Sequence, residues 1–118
     1  MNRTMIVEVL RWIVILGTFA TGIIALFKPG SVLGFIGFEG IGGRGLTEVR
    51  AIFGGLFIGL AAAPLILNQP AAFQMLGIAY LAIGIVRLPA MFVDRSVVNS
   101  NLISLVVEFA FGLFLILF

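Results

Sequence analysis

Hydropathy along the chain rises and falls four times. Long apolar runs occupy about residues 5–27, 47–67, 71–92 and 97–118, and the breaks between them are marked by Gly, Pro or charge. Each run is close to the ~20 residues that an α-helix needs to cross ~30 Å of hydrocarbon. The pattern predicts an all-α fold: an integral membrane four-helix bundle forming a single domain over residues 1–118. Little chain is left between the runs, so no soluble catalytic domain is expected within it.

The first run, "MIVEVLRWIVILGTFATGIIALF", follows a short basic start, "MNR". A signal peptide begins this way, but this run is longer than a signal core and carries Glu8 and Arg11 in its first turns, so a retained helix is expected. Glu8 and Arg11 are three apart and can pair; Trp12 suits the aromatic belt of a membrane interface. Thr18, Gly22 and Ala25 continue that face in small residues and predict a packed surface. "KPG" at 28–30 stops the helix. The next segment, "SVLGFIGFEGIGGRG", is apolar and rich in glycine. It reads equally as a piece lying in the interface through Phe35, Ile36 and Phe38, or as a flexible connector.

The second helix begins near Thr47, a candidate cap. Glu48, Ile52, Gly55, Gly59 and Ala62 fall on one face. Gly55 and Gly59 make a GxxxG pair, which lets another helix approach closely, within the chain or across a homodimer. Arg50 points the other way, over Gly54 and Phe57. "NQP" at 68–70 turns into the third helix, where Tyr80, Arg87 and Asp94 recur every seven residues and share a face. Pro89 frees the carbonyl of Ile85 and should kink that helix. On the fourth helix Asn101, Ser104, Glu108 and Gly112 share a face. Glu108 is nearly central among apolar neighbours. A charge at that depth costs a few kcal/mol or more, so it should face the interior and find a partner or take up a proton.

Composition narrows the chemistry. The chain is 62% hydrophobic and 10% charged, too apolar for a soluble domain of 118 residues. A net charge of +2, with basic residues scattered near helix ends, does not argue for nucleic acid. Cysteine is absent, which excludes disulfides, thiolate catalysis and sulfur-ligated metals. Histidine is absent too, and with it the usual metal ligand and general base. No cofactor is implied.

Four crossings bring Arg44, Glu48, Arg50, Arg87, Asp94 and Arg95 to the same half of the membrane, with Glu108 reaching toward them from about 8 Å deeper than Arg87 by helical rise. One network at the mouth of the bundle is the resulting expectation, able to hold a head group, an ion or a proton. Arg3, Lys28, Arg44 and Arg95 read more simply as snorkelling residues. Glu48 and Arg50 stand open between helix-end roles and the site. For Arg87 and Glu108 a specific role is favoured, in folding or in binding, because idle charges are expensive in a membrane. The excess of Lys and Arg on that half places it in the cytoplasm and both termini outside. The glycines match neither the Walker nor the Rossmann phosphate pattern.

"GLTEVRAIFGGLFIGLA", "AIGIVRLPAM" and "LVVEFAFGLFLIL" resemble a family of small bacterial four-helix membrane proteins of unknown function, distantly DoxX-like. The resemblance rests on Glu48, Arg50, Gly54, Gly55, Arg87 and Glu108. It implies a four-helix fold in a bacterial inner membrane and no established activity; some DoxX-like relatives are associated with thiosulfate:quinone oxidoreduction, which nothing in these residues supports carrying over. Three functions remain. The first is a non-catalytic membrane protein, either an accessory subunit of a larger membrane complex or a binder of a lipophilic small molecule through the set Glu48, Arg50, Tyr80, Arg87, Asp94, Asn101, Ser104 and Glu108. The second is a small proton-coupled transporter or channel using Glu108. The third is an enzyme acting on a lipid or quinone, with Glu48 or Glu108 moving protons and Tyr80 assisting.

Overall fold

The computed structural model describes residues 2–39 and 41–118, and all regular structure among them is helical. Four helices are long and apolar enough to cross a membrane: α1 (Arg3–Phe27), α3 (Gly43–Leu67), α4 (Pro70–Val93) and α5 (Asn99–Leu117). A short α2 (Pro29–Ile36) lies between the first two. The chain sorts into two compact units, one ending at Asn68 and the other running from Gln69 to Phe118.

In the N-terminal unit, α1 starts on a side-chain cap: Asn2 Oδ1 accepts from the backbone N–H of Met5 at 2.8 Å. It ends at Lys28, as the "KPG" break requires, but Pro29 does not merely stop it. Proline has no N–H to lose at the first position of a helix, and Pro29 opens α2. The segment expected to be an interface piece or a connector is therefore partly helical. It closes at Gly37, whose φ of 84° only glycine adopts without strain.

Helix α3 starts earlier than expected. Its first residues follow Gly42, and Thr47 lies inside the helix, where its Oγ1 donates to the carbonyl of Gly43 at 3.1 Å rather than capping. Residues Val49–Leu56 form a π-helical stretch, in which each turn takes up an extra residue. That stretch changes which glycine meets α1. A Cβ built at Gly22 would lie 2.8 Å from the carbonyl oxygen of Gly54, and one at Gly54 would lie 3.2 Å from the Leu26 backbone. Gly55 and Gly59, the expected packing pair, face open space within 4 Å. The close face of α3 is the one beneath Arg50, with Gly54 buried and Ile52 44% exposed. On α1 the expected small-residue face holds: Thr18, Gly22 and Ala25 are buried together with Val14 and Ile15. Leu26 against Gly54 and Gly22 against Ile58 make the two helices antiparallel.

The C-terminal unit is a second antiparallel pair, α4 against α5. Gly77 and Gly112 meet at its centre: a Cβ on Gly77 would stand 3.0 Å from the carbonyl oxygen of Gly112, and one on Gly112 would stand 2.9 Å from that of Gly77. Such backbone approach maximises dispersion contact between the two helices. Tyr80 packs edge-on against Phe111, with ring centroids 5.5 Å apart. Pro89 lies within α4, which continues to Val93.

Candidate functional site

The polar centre of the C-terminal unit is built by the turn between α4 and α5. Helix α4 ends with Arg95 in the left-handed conformation at φ 52°. The Ser96 N–H returns to the Met91 carbonyl at 2.8 Å and the Arg95 N–H to that of Phe92 at 3.3 Å, the paired bonds that close a helix through a left-handed residue. This closure fixes Ser96 beside the start of α5. There Asn101 Nδ2 donates to the Ser96 carbonyl at 2.8 Å and to Ser96 Oγ at 3.2 Å. Asn101 is thereby oriented with its Oδ1 free to accept.

Arg87 supplies the donor. Its Nη1 reaches Asn101 Oδ1 at 2.9 Å. Its Nε and Nη2 take the two oxygens of Glu108, each at 2.8 Å, in a side-on bidentate fork. The Glu108 side chain is 8% exposed and that of Arg87 29%. Packing explains why the acid is reached so directly. Gly84, one turn before Arg87, has no side chain, and a Cβ there would meet the Glu108 Cβ at 3.4 Å and the Phe109 ring at 3.2 Å. Helix α5 therefore comes close enough for the two functional groups to meet without an intervening water.

Beside this cluster lies an open cavity of about 580 Å³. Ala82, Ile83, Val86, Ala90 and Met91 make an apolar wall, and Arg87, Asp94, Ser96 and Asn101 make a polar end. Of the five N–H groups of Arg87, one on Nη1 and one on Nη2 are left uncommitted by the hydrogen bonds to Asn101 and Glu108.

Within the C-terminal unit the residues expected to form one network are only partly joined. Arg87, Glu108 and Asn101 come together. Asp94 lines the cavity but its carboxylate accepts no hydrogen bond among the described residues. Ser104 is half-buried and outside the hydrogen-bonded set; Ser96, which the periodicity did not single out, takes that place. Tyr80 is buried against Phe111. Glu48 and Arg50 are engaged locally: Glu48 pairs with Arg44 one turn away, both exposed, and Arg50 donates to the carbonyl of Leu26. The latter contact satisfies one of the carbonyls that the end of α1 leaves without a helical donor. The partial match within each unit has a simple cause. Helical periodicity states which residues share a face of one helix, but a single left-handed turn or π-turn decides which face meets the neighbour. Ser96 had a signal only in hindsight of that turn, as a hydroxyl in the polar run "DRSVVNS".

Comparison with family models, with curated proteins and with solved structures finds no match to this chain.

Proposed function

We propose that this is a non-catalytic integral membrane protein that binds a lipophilic molecule in the α4–α5 cavity, the polar end of the molecule meeting Arg87 and Asn101. The observation that carries the reading is the pair of uncommitted Arg87 N–H groups at the polar end of a cavity whose other wall is apolar. Donors of this kind, placed among apolar walls, are how small-molecule sites fix orientation. Membrane residence is supported by four helices with mean hydropathy between 1.9 and 2.1 and by large apolar side chains left exposed along them, such as Ile66 at 78% and Val93 at 81%. We place the protein in a bacterial inner membrane and relate it to the DoxX-like proteins through Glu48, Arg50, Gly54, Gly55, Arg87 and Glu108; the same residues suit an accessory subunit that carries its lipophile into a larger complex.

Proton-coupled transport through Glu108 is less well supported. Both oxygens of that carboxylate accept from Arg87, and releasing it to carry a proton would strand a buried charge. The binding reading is tested by purifying the protein in mild detergent and extracting bound small molecules for mass spectrometry. Ala82→Phe fills the cavity from its apolar wall without touching the hydrogen bonds. The wild type should retain an amphiphile that Ala82→Phe loses at unchanged thermal stability. Retention of the same molecule by both would overturn the assignment of the cavity.

A further inference from the structure

Arg87 looks like an anion receptor, but its charge is already used. The fork to Glu108 holds a full carboxylate against the guanidinium at 2.8 Å on both arms. The pair is therefore neutral as seen from the cavity. What it still offers there is two N–H dipoles, which suit an uncharged oxygen acceptor. The remaining charge in the lining is Asp94, whose carboxylate accepts no hydrogen bond among the described residues. With Glu108 cancelling Arg87, the polar end carries one net negative charge. Arg95 follows directly in sequence and, like Asp94, is exposed; of the two only Asp94 lines the cavity, and salt weakens the reach of both.

The geometry along α4 sorts the two kinds of group. Asp94 is seven residues beyond Arg87, about 10 Å along the helix by its rise. Arg87 presents donors deeper in the cavity and Asp94 presents an acceptor at the outer end, with Ser96 and Asn101 between α4 and α5. An occupant must therefore offer an oxygen acceptor close to its hydrocarbon and a donor further out. An anionic head would face Asp94 and gain no free counter-charge from Arg87, so its desolvation is not returned. A trimethylammonium head would face Asp94 but has no N–H or O–H to donate to it, and its chain carries no acceptor for the Arg87 N–H groups.

We propose that the α4–α5 cavity selects an uncharged amphiphile with a carbonyl oxygen next to its chain and a hydroxyl group beyond it, as in a monoacylglycerol, and discriminates against charged amphiphiles of the same chain. The inference rests on the binding reading above and names its ligand class. Against an anionic head Asp94 is the repulsive element; against a cationic head without an acceptor the discrimination comes from the Arg87 donors left unmatched.

The test uses the full chain in phosphatidylcholine nanodiscs. Monolauroylglycerol, lauryl phosphate and lauryltrimethylammonium compete against a fluorescent monoacylglycerol. Monolauroylglycerol should compete at a concentration at least about tenfold lower than lauryl phosphate, a factor that corresponds to one decade in Kd. Asp94→Asn should raise the affinity for lauryl phosphate relative to monolauroylglycerol. Equal or tighter binding of either charged probe in the wild type overturns the headgroup assignment, as does an unchanged ratio in Asp94→Asn. Saturable binding that Ala82→Phe abolishes, with the charged probe preferred, would leave the cavity assigned and this ligand class rejected. Failure of the fluorescent monoacylglycerol and of all three competitors to bind rejects the cavity assignment and the ligand class together.

Discussion

Arg87 gives two of its five N–H groups to a single acid, and that arrangement has an energetic consequence at the scale of one residue. The desolvation of both groups is offset only while each has the other. Arg87→Leu leaves Glu108, with a side chain 8% exposed, without its cation, and the expected loss is on the order of 3–5 kcal/mol unless the acid takes up a proton. Glu108→Gln leaves Arg87 with a neutral acceptor and should cost less but still destabilise. The double variant removes both charges and should recover part of the loss, a coupling that unfolding in detergent or bicelles reads directly as a double-mutant cycle. Simple additivity of the two single effects would refute the pair as an energetic unit. Glu48→Gln gives the contrast: its pair with Arg44 is solvent-exposed on both sides, and the change should move stability by less than about 1 kcal/mol. That the deep acid needs a partner or a proton could be read from hydropathy, because an isolated charge there is costly. The choice of Asn101 and Ser96 over Ser104 as the remaining partners could not, since it depends on the left-handed residue at Arg95.

Helices approach one another in this protein through glycine, and which glycine is decided by local backbone geometry. Gly22, Gly54, Gly77 and Gly112 all stand where an added Cβ would lie within 3.2 Å of a neighbouring atom, several of them backbone. Backbone cannot move aside as a flexible side chain does. Gly22→Ala and Gly112→Ala should therefore each destabilise by about 1–3 kcal/mol, the usual cost of overpacking. Gly55→Ala and Gly59→Ala meet nothing within 4 Å and should be neutral or gain up to about 1 kcal/mol from helix propensity. Thermal unfolding of the four variants checks the ordering, and an equal loss at Gly55 and Gly22 would overturn the assignment. A change in oligomeric state by Gly55→Leu or Gly59→Leu, with the fold of each protomer intact, would instead place that pair in a homodimer contact. Amphipathic reasoning selected Gly55 and Gly59 by a regular 3.6-residue period. The π-stretch over Val49–Leu56 interrupts that period and turns Gly54 to the partner.

At the scale of the whole molecule the deciding quantity is apolar surface. A chain that is 62% hydrophobic cannot cover its own exterior with polar groups, and its four long helices are apolar enough to suit a bilayer. The orientation proposed from the distribution of Lys and Arg can be checked. Because the chain has no cysteine, a single reporter can be placed without background. Ser31→Cys, on α2 after the first long helix, should be labelled by a membrane-impermeant maleimide in inverted inner-membrane vesicles and not in intact cells. Labelling in intact cells would reverse the orientation.

The number of long helices, their approximate limits and the inward placement of Glu108 follow from sequence, because each depends on local hydropathy or on the cost of one buried charge; that Arg87 is its direct partner is decided by the close approach at Gly84. The finer assignments depend on rotation and approach. The close face of α3, the glycines at each crossing, the local engagement of Glu48 and Arg50, and the recruitment of Ser96 are set by a π-turn, a helix closure and the packing of two backbones. An apolar helix in an apolar surrounding carries no strong amphipathic signal to fix its rotation, so only contact with its partner decides which side faces inward.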